Sequence, residues 1–189
     1  MAKSILRGLE IDKRSGYSVL DVIRLMLLLE KGPLGRSGII KGLGLEEASV
    51  KTMISRLNEG GLLSKTTKGQ VLTKRGKCVA SRISDNVSDF FETRLPSIGP
   101  CVFVVVKNSG NKVKLGIEQR DEGMKLGVNI ITLTYGARLE FPGTREKARG
   151  FEPVEKLCKL GRNDAVVIAS GSEKNRMKRA LIGAAITLF

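Results

Sequence analysis

Lys51, Thr52, Ser55 and Arg56 fall on or beside one face of a helical pattern in SVKTMISRLNEGG, residues 49–61. Their ammonium, hydroxyl and guanidinium groups suit the acceptor-rich base edges of a DNA major groove. Beyond Glu59 no acid occurs until Asp85, whereas Lys65, Lys68, Lys74, Arg75, Lys77 and Arg82 all lie between them. A run of one sign suits phosphates, which position a protein without telling it the sequence. Arg36 and Ser37 open another helical pattern, where a helix N-terminus could hold a further phosphate. The plainer alternative is a solvated basic surface on a protein-binding module. Glu46, Glu47 and Glu59 limit which helix positions can approach phosphate.

Two spots in the second half could carry chemistry. In GIEQRDEGMKLG, the side chains of Glu118, Arg120, Asp121 and Glu122 could form an effector-binding or acid–base cluster, or a solvated helix face with its own ion pairs. In SGSEKNR, the strand-to-helix junction at Ser170, Gly171 and Ser172, with Lys174 or Arg176 assisting, could cradle an anion. It lacks the spacing of a phosphate loop, and capping of the helix by Ser172 is the simpler alternative.

The composition narrows the classes. The chain has 189 residues and no histidine, which removes imidazole bases and the commonest metal ligand. Cys78, Cys101 and Cys158 form no C-x-x-C pair, so neither a metal nor a cofactor is expected. The charge of +14 favours a polyanionic partner. It is shared evenly: residues 1–95 carry 17 basic and 10 acidic residues, and residues 96–189 carry 16 and 9. The opening MAKSILRGLEIDKR has no sustained apolar run, and VLDVIRLMLLLE contains Asp21 and Arg24. A soluble, cytoplasmic protein without membrane attachment is therefore expected.

The elements that must position these residues follow from periodicity. Ser18 and Asp21 form a capping-box-like pair before a first helix that stops at Gly32-Pro33. A second helix fits RSGIIKGLG, with Gly44 turning the chain. In the third, Val50, Met53, Ile54 and Leu57 make the apolar face, and Glu46 is a poor N-cap. LLSKTTKGQVLT predicts a hairpin around a three-residue turn, Thr67-Lys68-Gly69. A fourth helix is predicted from Lys74 to Phe91, and TRLPSIGP, residues 93–100, as a linker between domains 1–92 and 101–189.

Beyond the linker, CVFVVVK, NIITLTY, ARLEF and DAVVIAS predict strands, while PVEKLCKLG and SEKNRMKRALIGAAITLF predict helices. Residues 112–127 leave two readings open. A helix from about Gly116 to Leu126 would give the order βαββαβα and, as one arrangement, a ferredoxin-like sandwich with an added helix. A strand there would give another α+β layer.

Residues 17–91 resemble the winged helix-turn-helix domains of prokaryotic transcription regulators, through GLGLEEASVKTMISRLNEGGLLSK and GQVLTKRGK. The chain also looks like a small group of archaeal two-domain proteins, an N-terminal winged helix joined to a C-terminal domain of uncharacterised function. GIEQRDEGMKLG, TLTYGARLEFPG and DAVVIASGSEKNRMKRALIGAA carry that likeness. The resemblance implies an α+β protein that binds DNA and regulates transcription. It implies no ligand or catalytic residue.

The resulting expectation is a non-enzymatic, sequence-specific regulator that binds double-stranded DNA as a homodimer. Arg36, Ser37, Lys51, Thr52, Ser55, Arg56, Lys65, Lys68, Lys74 and Arg75 are its DNA-binding residues. The C-terminal domain serves dimerisation, a small-molecule effector, or both, with Glu118, Arg120, Asp121, Ser170, Gly171 and Ser172 as effector candidates. The readings kept open beside it are an enzyme, or an RNA- or protein-binding adaptor, that uses the winged helix for docking. Low aromatic content, 4%, favours DNA over RNA, whose recognition draws on base stacking.

Overall fold

A computed structural model describes residues 15–144 and 146–189. It is an α+β protein whose seven α-helices and seven strands among these residues form two compact units, dividing after Ser84.

The first unit is helical with one hairpin. Helix α1 (Val19–Glu30) begins where the Asp21 carboxylate accepts both the Ser18 amide at 2.9 Å and its hydroxyl at 2.8 Å. Helices α2 (Arg36–Leu43) and α3 (Glu47–Glu59) follow, joined through Gly44 at φ 68°. Only glycine adopts that backbone freely. Ile23, Leu25, Met26, Ile39, Leu43, Val50, Met53 and Leu57 make the fully buried core. Within it Arg24, 2% exposed, lies 3.7 Å from the Asp21 carboxylate. It donates to the carbonyls of Gly42 at 3.1 Å and Leu43 at 3.3 Å. A buried guanidinium thus ties α1 to the end of α2 and fixes where the turn into α3 starts.

Strands β1 (Leu63–Thr66) and β2 (Gly69–Leu72) pair antiparallel, Leu63 opposite Leu72 and Thr66 opposite Gly69. The connection is therefore the two residues Thr67 and Lys68, not the predicted three. Gly69, at φ 124°, lies inside the pairing. Gln70 exchanges both backbone hydrogen bonds with Leu34, which fastens the hairpin to the segment before α2. Helix α4 (Lys74–Ser84) packs on α1. It ends seven residues before the predicted Phe91.

The predicted linker is corrected by the second unit. Phe91–Leu95 is strand β3, and it pairs antiparallel with β4 (Gly99–Val106) across a turn closed by Gly99 at φ 73°. Helix α5 (Ile117–Met124) takes the helical reading of the ambiguous segment. After it come β5 (Asn129–Tyr135), β6 (Leu139–Glu140), α6 (Glu152–Leu157), β7 (Asp164–Ser170) and α7 (Lys174–Ile186). The sheet order is β3-β4-β7-β5-β6, every neighbour antiparallel.

Strands β4 and β5 run in the same direction, as the crossover reading requires, but β7 lies between them. This order departs from the ferredoxin-like sandwich. There the strand that enters between the two crossover strands is the one after the hairpin turn; here the final strand enters, and the hairpin strand β6 is left at the edge. Cys101, Phe103, Val105, Leu133, Val166 and Ile168 share one core with Phe151 and Val154. The alternate residues Val102, Val104 and Val106, also buried, point to the other face. The apolar residues Met177, Leu181 and Ala184 of α7 are buried as their spacing predicts, as is Leu188 just beyond the helix.

Candidate nucleic-acid interface

Helix α2, helix α3 and the β1–β2 hairpin enclose a groove of about 340 Å³. Arg36, Lys51, Lys65 and Lys68 line it, with Leu34, Ile54 and Gln70. Its shape depends on two local fits. A Cβ on Gly69 would stand 2.5 Å from the Leu34 carbonyl oxygen, so glycine lets the hairpin approach the start of α2. The Asn58 amide donates to the Gln70 side-chain oxygen at 3.4 Å, linking α3 to β2.

The hairpin returns through LTKRG, whose spacing has a mechanical basis. The Thr73 hydroxyl accepts the Gly76 amide at 3.0 Å and caps α4. The same hydroxyl lies 2.7 Å from the Gly61 carbonyl, to which it donates. A Cβ on Gly76 would lie 2.1 Å from the Leu62 carbonyl oxygen, so only glycine lets α4 begin there.

The structure brings four of the ten expected residues to the groove. Arg36 is 3.3 Å from Glu47, with both side chains exposed, a contact that solvent screens and a competing anion can displace. Lys51, Lys65 and Lys68 meet no acid within ion-pairing distance among the described residues. Thr52 and Ser55 are exposed on α3. The Thr52 hydroxyl donates to the Ala48 carbonyl at 3.0 Å and that of Ser55 to Glu59 at 2.8 Å. Arg56 is half-buried in the last turn of α3. Ser37 and Lys74 are exposed but do not line the groove. Arg75 donates to the Gly60 carbonyl at 3.1 Å and so serves the C-terminus of α3.

Sequence reading misses four residues that shape this site. Ile54 looks like core by spacing yet is half-buried and lines the groove. Leu34 and the Asn58–Gln70 pair act through contacts between elements, which no local pattern carries.

The effector candidates do not converge. Glu118 is 4.0 Å from Lys114 and Glu122 pairs with Lys125, while Arg120 and Asp121 are exposed. At the other spot the helix N-cap is Glu173, not Ser172. Its carboxylate accepts the Asn175 amide at 2.7 Å and the Arg176 amide at 2.8 Å. The amides an anion cradle would need are therefore held by the chain's own negative charge. Among the described residues no group of three His, Cys, Asp or Glu side chains could hold a metal ion, and no helix is long and apolar enough to cross a membrane.

Residues 99–188 match the family described as Domain of unknown function (DUF4443). Among solved structures, the chain is similar to a hypothetical protein from Pyrococcus horikoshii OT3, an archaeal protein, with 28% identity and a TM-score of 0.77. The likeness covers 91% of this chain and 92% of that one, and so reaches both units. No functionally curated protein matches the chain.

Proposed function

We propose that the chain is a sequence-specific DNA-binding transcriptional regulator whose first unit is a winged helix-turn-helix domain. The observation that carries this reading is the groove on which cations from α2, α3 and the hairpin converge, three of them unpaired among the described residues. Helix α3 enters the major groove, with Thr52 and Ser55 toward base edges. Lys51, Lys65 and Lys68 follow the adjoining phosphates. The second unit senses a small molecule, joins two copies, or does both, and paired half-sites make a homodimer the working assembly. The protein acts in the cytoplasm and needs no enzymatic step.

Genome-wide mapping of bound DNA in the native cell tests the reading. Discrete enriched sites sharing a motif are expected, and an empty map would remove the regulator. Equal affinity for duplex DNA and single-stranded RNA would point instead to an adaptor.

A further inference from the structure

A cleft of about 860 Å³ opens where β5 ends and β7 begins. It is lined by the turn at Gly110 and Asn111, by Thr134 to Gly136, by Glu140 to Gly143, and by Arg162 and Asn163. Its volume is in the range of small-molecule sites.

The backbone around Arg162 is fixed on both sides. The buried Asp164 carboxylate accepts the Gly161 amide at 2.7 Å and the Asn108 amide at 3.0 Å. Asn163, at φ 72°, donates its amide to the Tyr135 carbonyl at 2.8 Å and accepts the Gly110 amide at 2.6 Å. Its side-chain oxygen accepts the Asn111 amide at 2.8 Å, and its side-chain nitrogen donates to the Asn111 oxygen at 3.4 Å.

Two donors in the cleft remain open. The amide oxygens of Asn111 and Asn163 are occupied, and the Glu140 carboxylate faces Arg138 at 3.2 Å. The Arg162 guanidinium and the Asn111 side-chain nitrogen remain as donors with no partner among the described residues. Phe141, 38% exposed, lines the same cleft, its ring held edge-on against Phe151 at 6.2 Å. Two unpartnered donors and an anchored aromatic ring in one cleft suit an anion with an apolar body.

We propose that this cleft binds a small organic anion, its carboxylate or phosphate on Arg162 and Asn111 and its apolar part against Phe141. A guanidinium suits either group, because both accept its planar fork of donors. The proposal rests on the effector-sensing half of the function above and replaces both effector spots expected from sequence.

Calorimetric titration of the full chain with phenyl phosphate, benzoate, inorganic phosphate and benzylamine tests it. Phenyl phosphate or benzoate should bind, the better one naming the anion, and that one should exceed inorganic phosphate and benzylamine. Arg162→Gln should weaken the binding by roughly tenfold and Phe141→Leu by less, with thermal unfolding of Arg162→Gln unchanged. No aryl-anion binding at millimolar concentration, equal binding of benzylamine, or full binding by Arg162→Gln would overturn the proposal. DNA affinity measured without these compounds is a separate readout, so either half of the function can fail alone.

Discussion

At the scale of single residues, the first unit depends on glycines where backbones nearly touch. Gly69→Ala forces a φ of 124° on a side chain and puts its Cβ 2.5 Å from the Leu34 oxygen. It should cost about 1–3 kcal/mol, read by urea denaturation, and should weaken DNA binding by displacing Lys65 and Lys68. Arg24→Met should cost about 3 kcal/mol in the same measurement, because it leaves Asp21 without its buried cation. The LTKRG motif was legible as a return into a helix because its Thr cap and close-packed Gly76 are local. Ser172 was misread as a helix cap, and the structural contact of Arg75 was missed, for a shared reason. A charged or hydroxyl side chain near a helix end can serve backbone or ligand, and only geometry separates these roles. Arg75 serves the Gly60 carbonyl, and Glu173 takes the capping place expected of Ser172.

At the scale of elements, the proposed regulator divides sequence reading and phosphate contact between α3 and the hairpin. Thr52→Ala and Ser55→Ala should change preference among duplex sequences with little effect on average affinity, measured by selection from random duplexes. In the second unit, β3 is held to α7 through Glu92, which pairs with Lys174 and lies 3.5 Å from Lys178. The Lys174 hydrogen bond, chiefly, lowers the Glu92 pKa, against some desolvation. A lowered folded pKa means this stabilisation is present above the ordinary carboxylate pKa and lost as pH falls through the folded value. Glu92→Gln should therefore reduce stability at neutral pH and flatten the acid limb of a stability–pH profile below about pH 4.5. Strand β3 itself escaped the sequence because Pro96, Gly99 and Pro100 suit a linker and a hairpin turn equally. Pairing with β4 decides between them. Helix α5 was recoverable because two same-direction strands need a crossover between them.

At the scale of the whole molecule, the α+β class was legible from periodicity, but the division after Ser84 and the order of the larger sheet were not. Which strand enters beside β4 depends on pairings far apart in the chain, and β7 joins β4 and β5 at once. The even sharing of the +14 charge likewise hid where it matters; folding gathers four cations from three elements onto one groove. Two of them, Lys65 and Lys68, were expected on the hairpin, whereas Lys74 lies outside the groove. The proposed function stands on this groove holding DNA phosphate. Its most direct test is the salt dependence of duplex-DNA affinity for the native chain and a Lys51→Gln/Lys65→Gln/Lys68→Gln variant. Each lost phosphate contact lowers the log–log slope by roughly 0.9, so the variant should bind more weakly at every sequence with a slope reduced by about 2 to 3. An unchanged slope in a folded variant would contradict the assignment of the groove to DNA.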